Sequence, residues 1–189
     1  MLISKIDNFY KKISDMLLNV IPSYQIFKYN KNELSIVVPD SSLISSLKIL
    51  KQHVNFQFNM LTCISGVDLL TSVYRFSVVY ELLSITYNFR FRVKVYTNET
   101  NPIPSAVSIY PCANWWEREV WDMFGIFFRN NKDLRRILTD YGFEGHPLRK
   151  DFPLSGYSEL RYDLIGRRII TESINLTQEQ RASVHEAQW

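Results

Sequence analysis

The residues of this sequence that are best suited to acid–base chemistry surround His146. Glu144 lies two positions before it and Asp151 five positions after it, so a carboxylate could orient the imidazole as a general base. A single histidine with local carboxylates, without a second ligand motif on a helix, is weak evidence for a catalytic or metal site. A small acid/base enzyme that uses His146 with Glu144 or Asp151 is therefore kept as an alternative function.

A second group of carboxylates comprises Glu117, Glu119 and Asp122. On a helix Glu119 and Asp122 share a face, whereas Glu117 and Glu119 point apart. Arg118 and Asp122 have i,i+4 spacing and are predicted to form an ion pair. The apolar residues of this segment would pack the helix against a sheet, and they are Trp116, Val120, Met123 and Phe124. The pattern therefore favours a structural helix over a catalytic one.

The sequence lacks the motifs that bind common cofactors. Its six glycines form neither a GxGxxG dinucleotide fingerprint nor a GxxxxGK[ST] phosphate loop. Cys63 and Cys112 are too few for an iron–sulfur cluster or a structural zinc site, and they are predicted to be buried, reduced thiols. No apolar run reaches the ~18 residues that a membrane-spanning helix needs. We therefore expect no cofactor and no membrane span.

Nucleic-acid binding is a third hypothesis, and it rests on the basic residues Arg90, Arg92 and Lys94. They alternate with apolar residues along a predicted strand, residues 89–96. The alternation places the aromatic side chains on the face opposite the charges, where they cannot stack on bases. The pattern therefore argues against a nucleic-acid partner.

The elements that must position these residues predict an α+β fold. Helices are predicted over residues 1–22, through Leu43–Leu50 with Asp40 or Ser41 as N-cap, and over Trp115–Phe124 between an Asn114 cap and a Gly125 stop. Strands are predicted over residues 34–38, 56–64 (closed by Gly66), 73–83, 89–96 and 107–110. The alternation in residues 89–96 indicates one buried face and antiparallel pairing. We expect one α+β domain, residues 1–128, with a mostly antiparallel sheet packed by helices.

Residues 129–189 are predicted to form a long irregular extension. The stretch around it, residues 115–163, combines charge, aromatic residues, glycine and proline at a density that a simple core helix or strand does not need. Such a segment is too charged and turn-rich to be buried alone, and richer in aromatics than a solvated loop. The composition therefore indicates a surface that recognises another protein.

Three motifs in this region carry a resemblance to a known family. They are Glu117-Arg-Glu-Val-Trp-Asp-Met-Phe-Gly125, Asp133-Leu-Arg-Arg-Ile-Leu138 and Gly145-His-Pro-Leu-Arg-Lys-Asp-Phe-Pro-Leu154. They resemble the 30 kDa subunit family of respiratory complex I. The match continues through Ser155-Gly-Tyr157 and Arg161-Tyr-Asp163, with weaker similarity in residues 64–68, 75–80 and 90–95. One departure is Asn131-Lys132, where the family usually has His-Pro.

The resemblance implies a core structural subunit in the peripheral arm of proton-pumping NADH:ubiquinone oxidoreductase. In this family the flavin, the iron–sulfur clusters and the quinone pocket belong to neighbouring subunits, so the chain is expected to hold no catalytic, cofactor or metal residues. Its partners are expected to be other complex I subunits, chiefly the quinone-site subunit. The expected location is the matrix side of the mitochondrial inner membrane, with membrane association only through the complex.

The extension is expected to wrap the quinone-site subunit between Arg135 and Asp163. Cationic side chains are expected to form ion pairs across the contact, and they are Arg135, Arg136, Arg149, Lys150 and Arg161. Apolar area is expected from Phe152, Pro153, Tyr157 and Tyr162, and Asp151 belongs to the same predicted interface. Arginine and aromatic residues are the usual anchors of such surfaces.

Overall fold

The computed structural model describes Met16, residues 25–30 and residues 33–178. The helix predicted over residues 1–22 lies outside these residues, apart from Met16. The chain divides into two compact units, Met1–Lys150 and Asp151–Trp189. Within the described part, no helix has the length and apolar character that crossing a bilayer requires.

In the described part of the first unit, a five-stranded sheet is packed by two α-helices. The strands of the sheet are β1 (Gln25–Asn30), β2 (Glu33–Val37), β3 (Met60–Asp68), β4 (Phe76–Ser84) and β5 (Phe89–Thr97). The helices are α1 (Leu43–Gln52), preceded by a 3-10 turn (Asp40–Ser42), and α2 (Ala113–Phe124). A short parallel pair, β6 (Ile103–Pro104) with β7 (Phe128–Arg129), flanks α2, and the second unit contains a hairpin, β8 (Ser158–Asp163) with β9 (Arg168–Ser173).

The strand order of the main sheet is β1-β2-β5-β4-β3. Every neighbouring pair is antiparallel except β2–β5, which is parallel. The predicted α+β class with a mostly antiparallel sheet is thus confirmed. The expectation of antiparallel pairing for residues 89–96 is only half right, because β5 is antiparallel to β4 and parallel to β2. Alternation reports that one face is buried, and it carries no information about the direction of the partner strand.

The hydrophobic core lies on one face of this sheet. Alternate residues of β5 point into it, namely Phe89, Phe91, Val93 and Val95. The helix α1 contributes Leu43, Leu47 and Leu50, each of which is 0% exposed. Burying each of these leucines stabilises the fold by about 2 kcal/mol. The basic residues Arg90, Arg92 and Lys94 lie on the opposite face of β5, as their spacing predicts.

Several sequence-based boundaries are wrong, including that of the strand predicted over residues 73–83, which begins only at Phe76. The strand predicted over residues 56–64 begins only at Met60, because Gln57 adopts a left-handed φ of 45° that interrupts extended backbone. The same strand continues to Asp68, so Gly66 lies within β3 and does not end it. The strand predicted over residues 107–110 is a turn, in which the Ala106 carbonyl accepts hydrogen bonds from the backbone N–H groups of Ile109 and Tyr110.

The helix α2 ends as predicted, but it begins at Ala113, before the predicted start at Trp115. Gly125 terminates it in the left-handed conformation, at φ 75°. Cys112 occupies the N-cap position, so the prediction of Asn114 as the cap is wrong. Cys112 is exposed and Cys63 half-buried, which corrects the prediction that both thiols are buried.

Candidate protein-interaction site

Asp122 organises the segment that follows α2. This carboxylate is 0% exposed, and its Oδ2 atom accepts hydrogen bonds from the N–H groups of Ile137, Leu138 and Thr139 at 3.2, 2.8 and 3.0 Å. Its Oδ1 atom accepts from the Thr139 hydroxyl at 2.7 Å and from Arg136 Nη1 at 3.4 Å. Burial alone would raise the pKa of Asp122, but these hydrogen bonds lower it below its usual value. The charge is therefore used to fold residues 137–139 onto the helix.

The predicted ion pair between Arg118 and Asp122 is wrong. Arg118 Nε instead donates to the backbone carbonyl of Arg135 at 3.1 Å, and its guanidinium lies 5.5 Å from the ring centroid of Trp115. Arg136 takes the place beside Asp122 that Arg118 was expected to fill. Both arginines therefore join α2 to residues 135–139.

Glu117 joins the helix to the segments that follow both strands of the short parallel pair. It is 0% exposed and accepts hydrogen bonds from the Ser105 hydroxyl, the Ala106 N–H and the Asn131 amide at 2.7, 2.7 and 2.8 Å. Burial raises the pKa of Glu117, and the three hydrogen bonds only partly oppose this rise. Asn131, which stands where the resembled family usually has His-Pro, thus supplies one of the contacts of this buried carboxylate.

The C-terminal end of α2 is capped by the Gly-His-Pro-Leu-Arg segment, residues 145–149. The last carbonyls of a helix have no partner within it and need one from elsewhere. Each of the final four is satisfied: Trp121 by the Gly125 N–H (2.9 Å), Asp122 by His146 Nδ1 (3.0 Å), Met123 by the Leu148 N–H (3.1 Å) and Phe124 by Arg149 Nε (2.7 Å). Two sequence motifs that lie far apart in the chain are therefore the two halves of one helix cap.

A network of charged side chains attaches this cap to the end of the sheet. Arg149 donates to Glu99 at 3.2 Å, and Arg75 donates to the same Glu99 oxygen at 2.7 Å and to Asp68 at 3.1 Å. Both guanidinium groups lie over the ring of Phe76, at 5.2 and 5.1 Å. The Lys150 N–H completes the network by donating to Asp68 at 2.9 Å. Lys150, the last residue of the first unit, is thus hydrogen-bonded to the end of β3.

His146 takes part in this cap as a neutral imidazole that donates from Nδ1. Burial lowers the pKa of His146, the charges of Arg149 and Arg136 lower it further, and the hydrogen bond to Asp122 opposes them. Glu144, the carboxylate proposed to assist it in catalysis, is exposed. The structure therefore gives His146 a structural position at the end of α2.

We expect the stability of the chain to fall with acidification in a window set by His146. Its pKa in the folded state lies below the unfolded value of about 6.5, so the unfolded chain binds the proton more readily. Stability is therefore retained above about pH 6.5 and lost as the pH falls below that value. Urea unfolding at pH 7.0 and 5.5 measures the effect, with His146→Asn as the control, because its amide can donate without titrating. An equal loss of stability in both chains would contradict this position for His146.

The hairpin of the second unit has one charged and one apolar face. The register pairs Arg161 with Ile170 and Tyr162 with Ile169, so neighbouring pairs face opposite sides. On the charged side Arg161 binds Glu172 through two hydrogen bonds, at 2.7 and 3.0 Å. The apolar side carries Leu160, Tyr162 and Ile169, which are 62%, 55% and 69% exposed.

The ten residues of the predicted interface fall into two groups. Arg135, Arg136 and Arg149 bind groups within the first unit, and Arg135 also pairs with Asp133 at 3.2 Å. The second group comprises Lys150, Asp151, Phe152, Pro153, Tyr157, Arg161 and Tyr162. All of these side chains are exposed except that of Phe152, which is half-buried. The ring of Phe152 packs on that of Tyr157, with the centroids 5.5 Å apart. Leu160 and Ile169 were not predicted as interface residues, although the alternation of residues 158–163 is typical of a strand.

An α+β domain whose charged groups cap its own backbone, followed by a hairpin with an exposed apolar face, is typical of a structural subunit that binds other proteins. Residues 36–158 match the family described as respiratory-chain NADH dehydrogenase, 30 Kd subunit. The chain belongs to this family, which confirms the resemblance drawn from its motifs.

Curated relatives of the chain agree with this assignment. It is 49% identical over 185 residues to NADH-ubiquinone oxidoreductase subunit 9 of Reclinomonas americana, covering 97% of this chain and 90% of the relative. It is 47% identical to the mitochondrial NADH-ubiquinone oxidoreductase 30.4 kDa subunit of Neurospora crassa, covering 93% of this chain and 62% of that relative. The chain thus spans less than two thirds of the length of the Neurospora protein.

Two solved structures share the fold. One is the trypsin-resistant fragment (1–134) of Nqo5, with a TM-score of 0.58 and 32% identity over 66% of this chain and 98% of the fragment. The other belongs to the membrane-bound sulfane sulfur reductase, an archaeal respiratory membrane complex, with a TM-score of 0.66 and 26% identity over 76% of this chain and 85% of that one.

Proposed function

We propose that the chain is a core structural subunit in the peripheral arm of proton-pumping NADH:ubiquinone oxidoreductase, in which it holds no redox centre of its own. Its family and its relatives, which are named as subunits of this enzyme, support the proposal. The catalytic activity is that of the whole complex. We further propose that the chain braces the quinone-site subunit on the matrix side of the mitochondrial inner membrane.

The observation that carries the structural role is the apolar face of the β8–β9 hairpin. An isolated two-stranded hairpin is at best marginally stable in water, because it buries little apolar area. Here the apolar side chains Leu160, Tyr162 and Ile169 remain more than half exposed within the chain. A neighbouring protein that covers them would supply the missing burial, at roughly 25 cal/mol per Å².

The contacts within the extension suggest a different role for each predicted interface residue. Tyr162 belongs to the apolar face and is proposed as a central anchor, together with Tyr157 and Pro153. Arg161 is already paired with Glu172 and is proposed to lie at the rim, where a solvated ion pair contributes little to binding. Arg136 and Arg149 are proposed to act indirectly, because they hold the first unit in shape.

We expect Tyr162→Asp to prevent stable incorporation of the chain into the complex. The substitution would place a charge in an apolar contact, which costs several kcal/mol if the carboxylate stays unpaired. Native gels of gently solubilised mitochondrial membranes, stained for NADH dehydrogenase activity, measure the fraction of chain that migrates with the large complex. Arg168→Asn is the matched control, since Arg168 is exposed on the charged face of the same hairpin.

Two results would contradict the proposal. Migration of the unaltered chain as a free protein, away from any stained band, would refute its membership of the complex. Equal incorporation of Tyr162→Asp and Arg168→Asn would refute the apolar hairpin face as the contact. An acid/base enzyme built on His146 is not proposed, because that imidazole caps α2 and no observation favours catalysis.

A further inference from the structure

The β3–β4 loop, residues 69–75, exposes apolar side chains, whereas turns on a protein surface usually carry polar ones. Leu70, Val73 and Tyr74 are 58%, 92% and 49% exposed. Turns favour glycine, asparagine, aspartate and serine, whose backbone preferences and polar side chains suit solvent. Val73 contributes almost no buried area to its own unit at this exposure. Clusters of exposed apolar side chains mark contact surfaces.

The base of this loop is held firmly. Arg75 binds both carboxylate oxygens of Asp68, with Nε–Oδ1 and Nη2–Oδ2 distances of 3.1 and 3.2 Å. The Leu69 N–H donates to the Arg75 carbonyl at 2.7 Å, and the Arg75 N–H donates to the Asn98 side chain at 3.1 Å. A loop fixed in this way loses little conformational entropy when it binds, which favours its use as a docking element.

The loop shares its anchor with the end of the first unit. Asp68, whose carboxylate holds Arg75, also accepts a hydrogen bond from the Lys150 N–H at 2.9 Å. The second unit begins at Asp151, directly after Lys150 in the chain. A partner that binds Asp151 and the residues just after it is therefore close to the β3–β4 loop.

The charges around the base indicate what kind of surface the loop meets. The cations Arg75 and Arg149 are paired with Asp68 and Glu99, two against two. A paired set of this kind offers no excess positive charge to a phosphate or a lipid headgroup. The exposed tip is apolar instead, which suits a recess lined by hydrophobic side chains of a protein.

We infer that the β3–β4 loop is a second docking element, which inserts Val73 and its neighbours into an apolar recess of the same subunit that the extension binds. The inference rests on the proposed function, because it takes the partner to be that neighbouring subunit. The loop and the second unit would then each supply one contact with the same partner. Two linked contacts bind more tightly than either alone, since the second forms within the same complex.

A competition experiment in assembled complex tests the inference. Cells express the unaltered chain together with a tagged variant, and the ratio of the two in the purified complex is measured by mass spectrometry. We expect Val73→Asp to be depleted about tenfold, which corresponds to the loss of one good apolar contact. Val54→Asp is the matched control, because Val54 is 71% exposed and its carbonyl binds Tyr87 at the opposite end of β4. Urea unfolding of both full-length variants checks that each still folds.

Each outcome decides between the two contacts. Val73→Asp entering the complex as readily as Val54→Asp, while Tyr162→Asp is excluded, would overturn the loop contact and leave the proposed function standing. Exclusion of Val54→Asp to the same degree as Val73→Asp would also overturn it, because the effect would then not be local to the loop. Sedimentation showing that the free chain self-associates and that Val73→Asp abolishes this would assign the loop to a second copy instead.

Discussion

Replacing Asp122 with alanine is expected to destabilise the chain by about 3–5 kcal/mol, the range for removing one member of a buried, paired charge. The substitution leaves the N–H groups of residues 137–139 without their acceptor and Arg136 without its carboxylate. These part-buried donors would lose a charged acceptor, which adds to the cost. Since domains are stable by only about 5–15 kcal/mol, the loss is a large share of the total. Urea unfolding of the full chain measures it.

Asp140→Ala is the matched control for this prediction. Asp140 is an exposed aspartate in the same segment, and its side chain accepts only a local hydrogen bond from the Tyr141 N–H in the described structure. Surface substitutions of this kind change stability by about 0.5 kcal/mol or less. If the two alanine variants unfold at the same urea concentration, Asp122 does not organise the segment after α2.

Gly125→Ala is expected to destabilise the chain by about 2–4 kcal/mol through two additive effects. Gly125 has a φ of 75°, a conformation that costs an alanine about 1–2 kcal/mol. A Cβ atom at this position would also lie 2.5 Å from His146 Nε2 and 2.6 Å from Arg149 Nη2. Both side chains would have to move away from the carbonyls of α2 that they cap, so hydrogen bonds are lost as well. Thermal and urea unfolding of the full chain measure the change.

Gly142→Ala separates the two effects. Gly142 has a similar φ of 71°, but a Cβ atom there meets nothing within 4 Å. Its substitution therefore reports only the backbone penalty, about 1–2 kcal/mol. The difference between the two variants is the contribution of the crowded cap. Equal losses would show that His146 and Arg149 can move without consequence, which would contradict the structural importance of the cap.

The parts of the fold that sequence patterns predicted well are those governed by local rules. The strand over residues 89–96 follows from strict alternation of apolar and charged residues, which only extended backbone can satisfy with one buried face. Gly125 was predicted as the end of α2 because glycine alone enters the left-handed conformation without penalty. Neither inference needed to know what the rest of the chain does.

The role of the buried carboxylates could not be predicted in this way. Glu117 and Asp122 lie on a helix among charged neighbours, and their spacing predicted only a local ion pair between Arg118 and Asp122. Their actual partners are 11 to 17 residues away along the chain, in segments that show no periodicity. Sequence spacing within one element reports the faces of that element, and it does not report what a loop brings to those faces.

The hairpin of the second unit was missed for a different reason. The density of glycine and proline from Gly125 to Gly166 favoured irregular structure, and the alternation of residues 158–163 was not considered. The apolar members Leu160 and Tyr162 do alternate with polar residues, so the signal was present. The family was predicted correctly from three motifs, two of which contain the residues that cap the end of α2.

The contacts that cap α2 and attach the cap to the sheet all lie within the first unit. Every hydrogen bond described above that caps α2 is made within residues 1–150, so a newly made chain can complete this unit before it meets another subunit. In the second unit, none of the described residues, 151–178, is buried, so we expect a neighbouring subunit to supply much of its stability. We therefore expect the first unit to be complete before assembly, and a chain left without its neighbour to be cleaved by proteases first in the second unit.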